Sequence, residues 1–276
     1  MFSVCTMTYG DYPDLISQTL GSIKEHFHAH IKDIRVGLNA VSADTLKYVL
    51  DWAGTLRHCP VYVYQEVNNA NVGKYPLMRR MFTEEPAAVT ESEFIMWLDD
   101  DSYFDGVTDE WWNEVYGLLR EHTVVGLVHY IRARGNQHIG IAEQPWYSGQ
   151  QVQRGHKFKF ATGAWWAAKS SFLAEWDYPF LDVYHNGGDS ILGEFCRQRG
   201  ASIHDFKRGA QCHAKCCYKG TDRNNVVHIN VGGREGRRGI GKKPSEEVYP
   251  WSFHGERAPS YTHHKFDLRV YTFDAV

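Results

Sequence analysis

Nowhere in the 276 residues does an apolar run approach the roughly 20 positions needed to cross a bilayer, so no membrane-spanning helix is expected. The opening Met1-Phe2-Ser3 has no signal-peptide pattern, and the expected compartment is the cytoplasm. Cysteine is sparse. Cys5, Cys59, Cys196, Cys212, Cys216 and Cys217 are too few and too irregularly placed for a disulfide framework in a chain of this length, so reduced thiols are expected. Neither sign of charge dominates: 30 Lys and Arg against 33 Asp and Glu give a formal net charge of −3, which predicts no global attraction to nucleic acid and leaves a local patch open. The first hundred residues contain no internal repeat, low-complexity tract or Pro/Ser-rich linker. What the chain does have is 43% hydrophobic content, enough for one large domain or one domain with an elaborated end.

The first hundred residues alternate strand and helix signals, the sequence form of a parallel sheet with crossover helices. Phe2 to Met7 reads as a strand, and Pro13 to Phe27 as an amphipathic helix with Leu15, Ile16, Leu20 and Ile23 on its apolar face. A strand from Ile34 to Leu38 ends at Asn39, and a helix from about Ala43 to Trp52 precedes a third strand, Val61 to Tyr64. A short helix around Tyr75 to Phe82 leads to the apolar run Phe94 to Leu98, completing a βαβαβαβ order. Beyond it, Thr108 is placed to cap a helix running to about Glu121, and Val124 to Tyr130 reads as a strand. Residues 135–157 look like loops or a hairpin over the sheet edge. Phe158 to Lys169, a helix from Ser170 to Trp176, a helix opened by His185-Asn186-Gly187-Gly188-Asp189 and a strand from Ala201 to Phe206 follow. Everything past Lys207 reads as loop.

The run Phe94-Ile95-Met96-Trp97-Leu98 delivers three consecutive carboxylates, Asp99, Asp100 and Asp101, to the C-terminal edge of a buried strand, where open α/β sheets bind ligands. Hard oxygen ligands of this type suit Mg²⁺ or Mn²⁺, which take their remaining ligands from water and from substrate phosphates. The alternative is a solvated acidic turn or helix cap. Lys74 and Arg79 lie just upstream, about one helical turn apart. They are either cations for ribose, base or phosphate, or a pair of solvated charges. Asp189, after Gly187 and Gly188, sits where a helix N-terminus favours the ionised carboxylate. It reads either as a general base or as a plain helix cap.

In this order the motifs resemble the nucleotide-sugar glycosyltransferases of the A-type (GT-A) fold, whose hallmark is a D-x-D at the end of a central strand. The resemblance spans roughly residues 2–213. It rests on the opening strand with Thr6, Thr8 and Tyr9, the Asn-rich turn with Gly73-Lys74-Tyr75 and Arg79-Arg80, and Asp99-Asp100-Asp101. Further along it draws on Thr162-Gly163-Ala164-Trp165-Trp166 and Gly187-Gly188-Asp189. It implies an α/β domain over residues 1–210, with a nucleotide-sugar-binding half (1–101) and an acceptor-binding half (102–210). Residues 211–276 are then a basic extension closing over the active site. It further implies that Thr6, Tyr9 and Asn39 flank base and ribose, although relatives commonly carry an acid where this chain has Asn39. Asp99, Asp100 and Gly163 join Lys74 and Arg79 among the donor contacts. Asp99 and Asp101 hold the metal as a Lewis acid on the departing diphosphate. His213 is the implied third ligand, with His228 in reserve. Asp189 becomes the base of an inverting transfer, and a UDP-sugar is the favoured donor.

Between Lys207 and Lys243 ten Lys or Arg residues face two acids, Asp222 and Glu235. Three readings stand: a segment closing on the diphosphate, a phosphate-tracking strip for a nucleic acid, and a solvated surface. Cys212-His213-Cys216-Cys217 also admits zinc, against which stands the adjacent Cys216-Cys217 spacing. Trp165, Trp166 and Trp251 are either stacking platforms or core. The expected function is metal-dependent transfer of a sugar to an acceptor hydroxyl, on a saccharide or, as would fit a virus-encoded enzyme with a basic tail, on a hydroxymethylated base in DNA. A nucleotidyltransferase and a non-catalytic sugar- or nucleic-acid-binding module are the more distant alternatives. Thr6-Met7-Thr8-Tyr9-Gly10-Asp11-Tyr12 lacks the cation that the first of these typically carries.

Overall fold

A computed structural model describes residues 1–84, 91–132, 141–153, 155–181, 188–206, 219–221, 226–229 and 265–275. β1 (Phe2–Gly10) is buried along both faces, as a strand in the middle of a sheet must be. In α1 (Pro13–Glu25) the proline stands in the first turn, where a missing N–H costs nothing. β2 (Ile31–Val41) leads to α2 (Ala43–Thr55), capped by the Ser42 hydroxyl, which accepts from the Thr45 amide at 3.2 Å. β3 (Val61–Glu66), α3 (Lys74–Thr83) and β4 (Phe94–Asp99) complete the expected βαβαβαβ order. A three-residue strand, β5 (Ser102–Phe104), follows the aspartates at once. Thr108 caps α4 (Asp109–Glu121) as expected, accepting from Trp111 at 3.4 Å. β6 (Val124–Arg132), β7 (Lys157–Lys169), α5 (Ser170–Glu175), α6 (Gly188–Gln198) and β8 (Ile203–Asp205) come next. β9 (Lys219–Thr221), β10 (Val226–Ile229) and β11 (Leu268–Phe273) end the order.

Eight strands form one mixed, mostly parallel sheet in the order β11-β3-β2-β1-β4-β7-β6-β8, and β5-β10-β9 form a small second sheet. β1 runs parallel to both β2 and β4, so the order reverses at β1, with β2 and β3 on one side and β4 on the other. A crevice opens at such a switch point, at the carboxyl ends of the strands. Tyr9, Asn39 and Asp99 stand at that edge. The expected halves, 1–101 and 102–210, meet within this one sheet, since β4 pairs antiparallel with β7.

The reading of everything past Lys207 as loop is corrected at 219–221, 226–229 and 268–273, which are strands. β11 pairs antiparallel with β3 at the sheet's edge, so this part of the extension completes the sheet instead of covering the crevice. Leu268, Val270, Tyr271 and Phe273 are half-buried and Arg269 and Thr272 exposed, so this edge strand has neither a continuous apolar run nor a regular alternation to stand out.

Side chains alternate across the sheet, which separates two cores. Cys5, Met7, Trp97 and Trp166 lie on the face covered by Tyr75, Met81 and Phe195. Val4, Met96, Leu98 and Trp165 lie on the face covered by Trp111, Trp112 and Ile16. Trp165 and Trp166 are 0% and 2% exposed, the first packed at 5.7 Å on Trp111 and the second stacked at 6.4 Å on Trp97. They are core, and the stacking-platform reading is corrected for both. Trp251 lies outside the described residues.

One ion pair is inside the first core. Arg35 donates through Nε to Asp33 Oδ1 at 2.9 Å and through Nη1 to the Met81 carbonyl at 2.6 Å, and Ser3 donates to Asp33 Oδ2 at 2.9 Å. The pair bolts β2 to the second half of α3. Among the described residues no helix is long and apolar enough to cross a membrane.

Candidate active site

Asp99 ends β4, and two residues before it, on the same strand face, Trp97 donates its indole N–H to Asp99 Oδ1 at 2.9 Å. Lys74 Nζ donates to the same oxygen at 2.6 Å. The ammonium is brought there by an ordered turn. Asn39 Oδ1 accepts from the Val72 amide at 2.9 Å, Asn39 Nδ2 donates to Asn71 Oδ1 at 3.0 Å, and Asn71 Oδ1 also takes the Gly73 amide at 3.1 Å. Gly73 then turns at φ 84, a conformation glycine adopts without strain, and α3 begins with Lys74.

β7 arrives from the other side with a bulge. Gly126 and Val128 of β6 pair with Trp166 and Ala161, so residues 162–165 face Leu127 alone. The bulge presses Gly163 against the ion pair: a Cβ there would lie 2.8 Å from Asp99 Oδ2 and 3.0 Å from Lys74 Nζ. The Gly163 amide points to Asp189 Oδ2 at 3.4 Å, and the Ser190 amide donates to Asp189 Oδ1 at 3.0 Å. β4, α3, β7 and the start of α6 thus meet around one lysine and two aspartates.

Burial opposes the Lys74 charge, yet Asp99, joined by Asp189 and Asp101, outweighs it and holds the ammonium above its ordinary pKa. Asp189 shifts the other way for a carboxylate: burial raises it, while Lys74 and the Ser190 and Gly163 amides pull it only part of the way back. A partly buried carboxylate kept on the basic side of its usual range is suited to accept a proton.

Asp99, Lys74, Gly163 and Asp189 are therefore brought together. Asp101 is 2% exposed and acts on the Lys74 charge, and the Asp100 carbonyl accepts from Thr19 Oγ1 at 2.9 Å. Tyr9 lies two residues beyond Met7, which is paired with Asp99, and shares that face at the strand's end. Thr6 does not: it pairs with Leu98, so it faces the opposite core and is fully buried. Asn39 is 2% exposed, and its amide bonds the turn that carries Lys74, donating to Asn71 Oδ1 and accepting from Val72. Arg79 is not among the side chains gathered at Gly163: its Nη1 donates to the Asp177 and Pro179 carbonyls at 2.7 and 2.9 Å. His213 lies outside the described residues, while His228 sits in β10 with its backbone opposite Ser102. Trp97 and Tyr75 are the residues that sequence reasoning missed. The i, i+2 spacing of Trp97 and Asp99 was the available signal for the first, and the second had none beyond its place next to Lys74.

Among the described residues no three His, Cys, Asp or Glu side chains group as a metal-holding set. Two carboxylates are nonetheless enough for a hard divalent cation that takes its other ligands from water and phosphate oxygens. Lys74 and Trp97 both donate to Asp99 Oδ1, Oδ2 is on the side of Gly163, and Asp101 follows two positions later, so the donor chemistry fits such an ion.

No protein-family description matches the chain, and no curated protein does. Solved structures do. A mannosyltransferase from Pyrobaculum calidifontis, in complex with GDP-Man and Mn²⁺, superposes with a TM-score of 0.53 at 16% identity, over 74% of this chain and 54% of that one. The fold is of the GT-A type. Mouse xyloside xylosyltransferase 1 gives 0.45 at 12% identity over 84% and 98% of the two chains. A 4-diphosphocytidyl-2C-methyl-D-erythritol synthase from Anaerococcus prevotii gives 0.46 at 10% identity over 74% and 87%. The fold assignment rests on the first of these, of whose length this chain spans about half. At such identity the GT-A fold is shared and residue roles are not transferred, so roles here rest on geometry.

Proposed function

We propose that the chain is a glycosyltransferase that moves a sugar from a nucleoside diphosphate to the hydroxyl of a saccharide acceptor, with inversion. The observation that carries this reading is the convergence of Asp189 and the Lys74–Asp99 pair on the two sides of Gly163, at the switch-point edge of the sheet. Lys74 is the cation for the diphosphate, and its contact with Asp99 keeps it charged and aimed until the donor arrives. Asp189, held by the Ser190 and Gly163 amides, takes the acceptor proton as the new glycosidic bond forms. Tyr9 lines the strand end where base or ribose docks. Asp99 and Asp101 would hold Mn²⁺ or Mg²⁺, which supplies Lewis-acid stabilisation of the leaving diphosphate. His228, beside β5, stays the candidate third ligand. The basic stretch that motivated a DNA acceptor lies almost wholly outside the described residues, and the saccharide is retained.

Thermal melting against UDP-, GDP-, dTDP- and CMP-sugars, with and without Mn²⁺, tests the donor site. Ligand at about 100 times its Kd adds about 2.7 kcal/mol, which for a chain of this size is a rise of roughly 5–10 °C. Asp101→Ala should lose the Mn²⁺-dependent part. If no nucleotide moves the transition, the reading fails.

Gly163→Ala checks the central contact. The added methyl meets the far ends of two flexible side chains, so the fold is kept while Lys74 and Asp99 are forced apart. Calorimetric titration with the matching nucleoside diphosphate should show affinity reduced about tenfold, the loss of one charge-assisted hydrogen bond. Affinity equal to the parent's would remove the pair from the donor site.

A further inference from the structure

Tyr75 follows Lys74 in the first turn of α3, and its ring is buried against the start of α6. Its phenol oxygen lies against the backbone at Gly188, where the N–H groups of Gly188 and Asp189 favour negative charge on it. These are donors that a helix's first turn leaves without an internal partner, and a Ser, Thr or Asp just before the helix commonly takes one of them. Here a tyrosine from another helix stands at that end. The approach is so close that a Cβ on Gly188 would lie 2.1 Å from Tyr75 Cζ and 2.5 Å from its hydroxyl oxygen. Gly188 is therefore required by the ring and not only by the turn.

We propose that Tyr75 is a positioning residue for Asp189: its hydroxyl caps α6 from outside and fixes the rotation at which the helix presents that carboxylate to the acceptor. Two adjacent residues then divide the work. Lys74 fixes Asp99 on the donor side, Tyr75 fixes Asp189 on the acceptor side, and α3 sets the spacing between them. This rests on Asp189 being the base. It adds a residue that never touches the reacting atoms.

Tyr75→Phe keeps the ring and removes only the acceptor oxygen. The expected result is a kcat for transfer lower by about ten- to hundredfold, the effect of a small misplacement of a reacting group. Donor affinity by titration and donor KM should stay within about twofold of the parent, and the transition should remain well above the assay temperature. Tyr64→Phe, which removes a buried phenol oxygen beside Arg35 and remote from α6, is the control for loss of a buried hydroxyl and should keep its kcat. A Tyr75→Phe protein with parental kcat overturns the proposal, and so does one whose kcat and donor affinity fall together, since that marks a general structural role. Asp189→Asn, measured alongside, separates the two ideas. If it retains parental turnover, the base assignment has failed. If it is inactive while Tyr75→Phe is unimpaired, only the positioning role has.

Discussion

Replacing Asp189 with Asn is expected to lower kcat by about 10²–10⁴-fold, the usual contribution of a general base, while donor affinity holds. The substitution is nearly isosteric; because Ser190 donates to Oδ1 and Gly163 to Oδ2, the single Asn carbonyl keeps one of these bonds and its NH2 meets the other donor, so donor affinity measured alongside separates loss of proton transfer from local rearrangement. The pH dependence follows from the direction of the shift. Burial raises this carboxylate on folding, and Lys74 only partly offsets it. A base must be ionised, so activity is present above the raised folded pKa and is lost as pH falls through it; the acid limb of kcat/KM therefore lies above the ordinary Asp value of about 3.9. Stability runs the opposite way. Above the folded pKa the ionised side chain costs stability, and that cost fades as pH falls through the folded pKa towards the unfolded one. Asn carries no such charge, and relief of that cost offsets the one hydrogen bond lost, so the Asp189→Asn protein should melt within a few degrees of the parent at pH 7. Parental kcat would reduce Asp189 to a residue that merely opens a helix.

Arg35→Met is expected to give the largest loss of stability of any single change away from the crevice. It leaves Asp33, which is 2% exposed, as a buried charge without its cation, and breaking such a pair costs about 3–5 kcal/mol. For a chain of this size that is a fall in Tm of roughly 6–20 °C. It also removes the bolt to the Met81 carbonyl on α3, the helix whose other end carries Lys74, so donor affinity should weaken with it. Replacing both partners with apolar residues, Asp33→Leu with Arg35→Met, should recover most of the stability, because the desolvation penalty disappears with the charges. A loss below about 1 kcal/mol in the single variant would show that water reaches Asp33 and screens it.

The elements that could be read before any coordinates were those whose burial leaves a continuous mark. Phe94 to Leu98 is buried on both faces and therefore apolar throughout, whereas β11 is an edge with no residue fully buried and no regular alternation, which leaves no mark to tell it from loop. Asp99 stood out because like charges behind a buried strand are costly without a cation, and Asp189 because two glycines precede it; Lys74 stood out by its nearness to the aspartate strand, and Gly163 came only with the resemblance to the GT-A enzymes. Thr6 was misplaced for a different reason. Which face a strand residue occupies depends on register, and register is fixed by neighbours that the strand itself does not name. Arg79 finds its carbonyl partner 98 positions away, at Asp177, and no local pattern encodes that. The adjacency of Trp165 and Trp166 did hold usable information: neighbours on a strand point to opposite faces, so the two rings could never have shared one sugar.

The place of β11 sets a timetable for synthesis. Gln65 on β3 and Tyr271 on β11 share a hydrogen bond across 206 positions of chain. At roughly 5–20 residues per second, a ribosome leaves the outer edge of β3 open for about 10–40 s after that strand is made. Through that interval Val61–Glu66 offers unpaired backbone groups to any passing strand. The interval prone to misassembly thus opens before β4 is made and outlasts the completion of the crevice edge of β1, β2 and β4, whose far neighbour is still waiting for a partner.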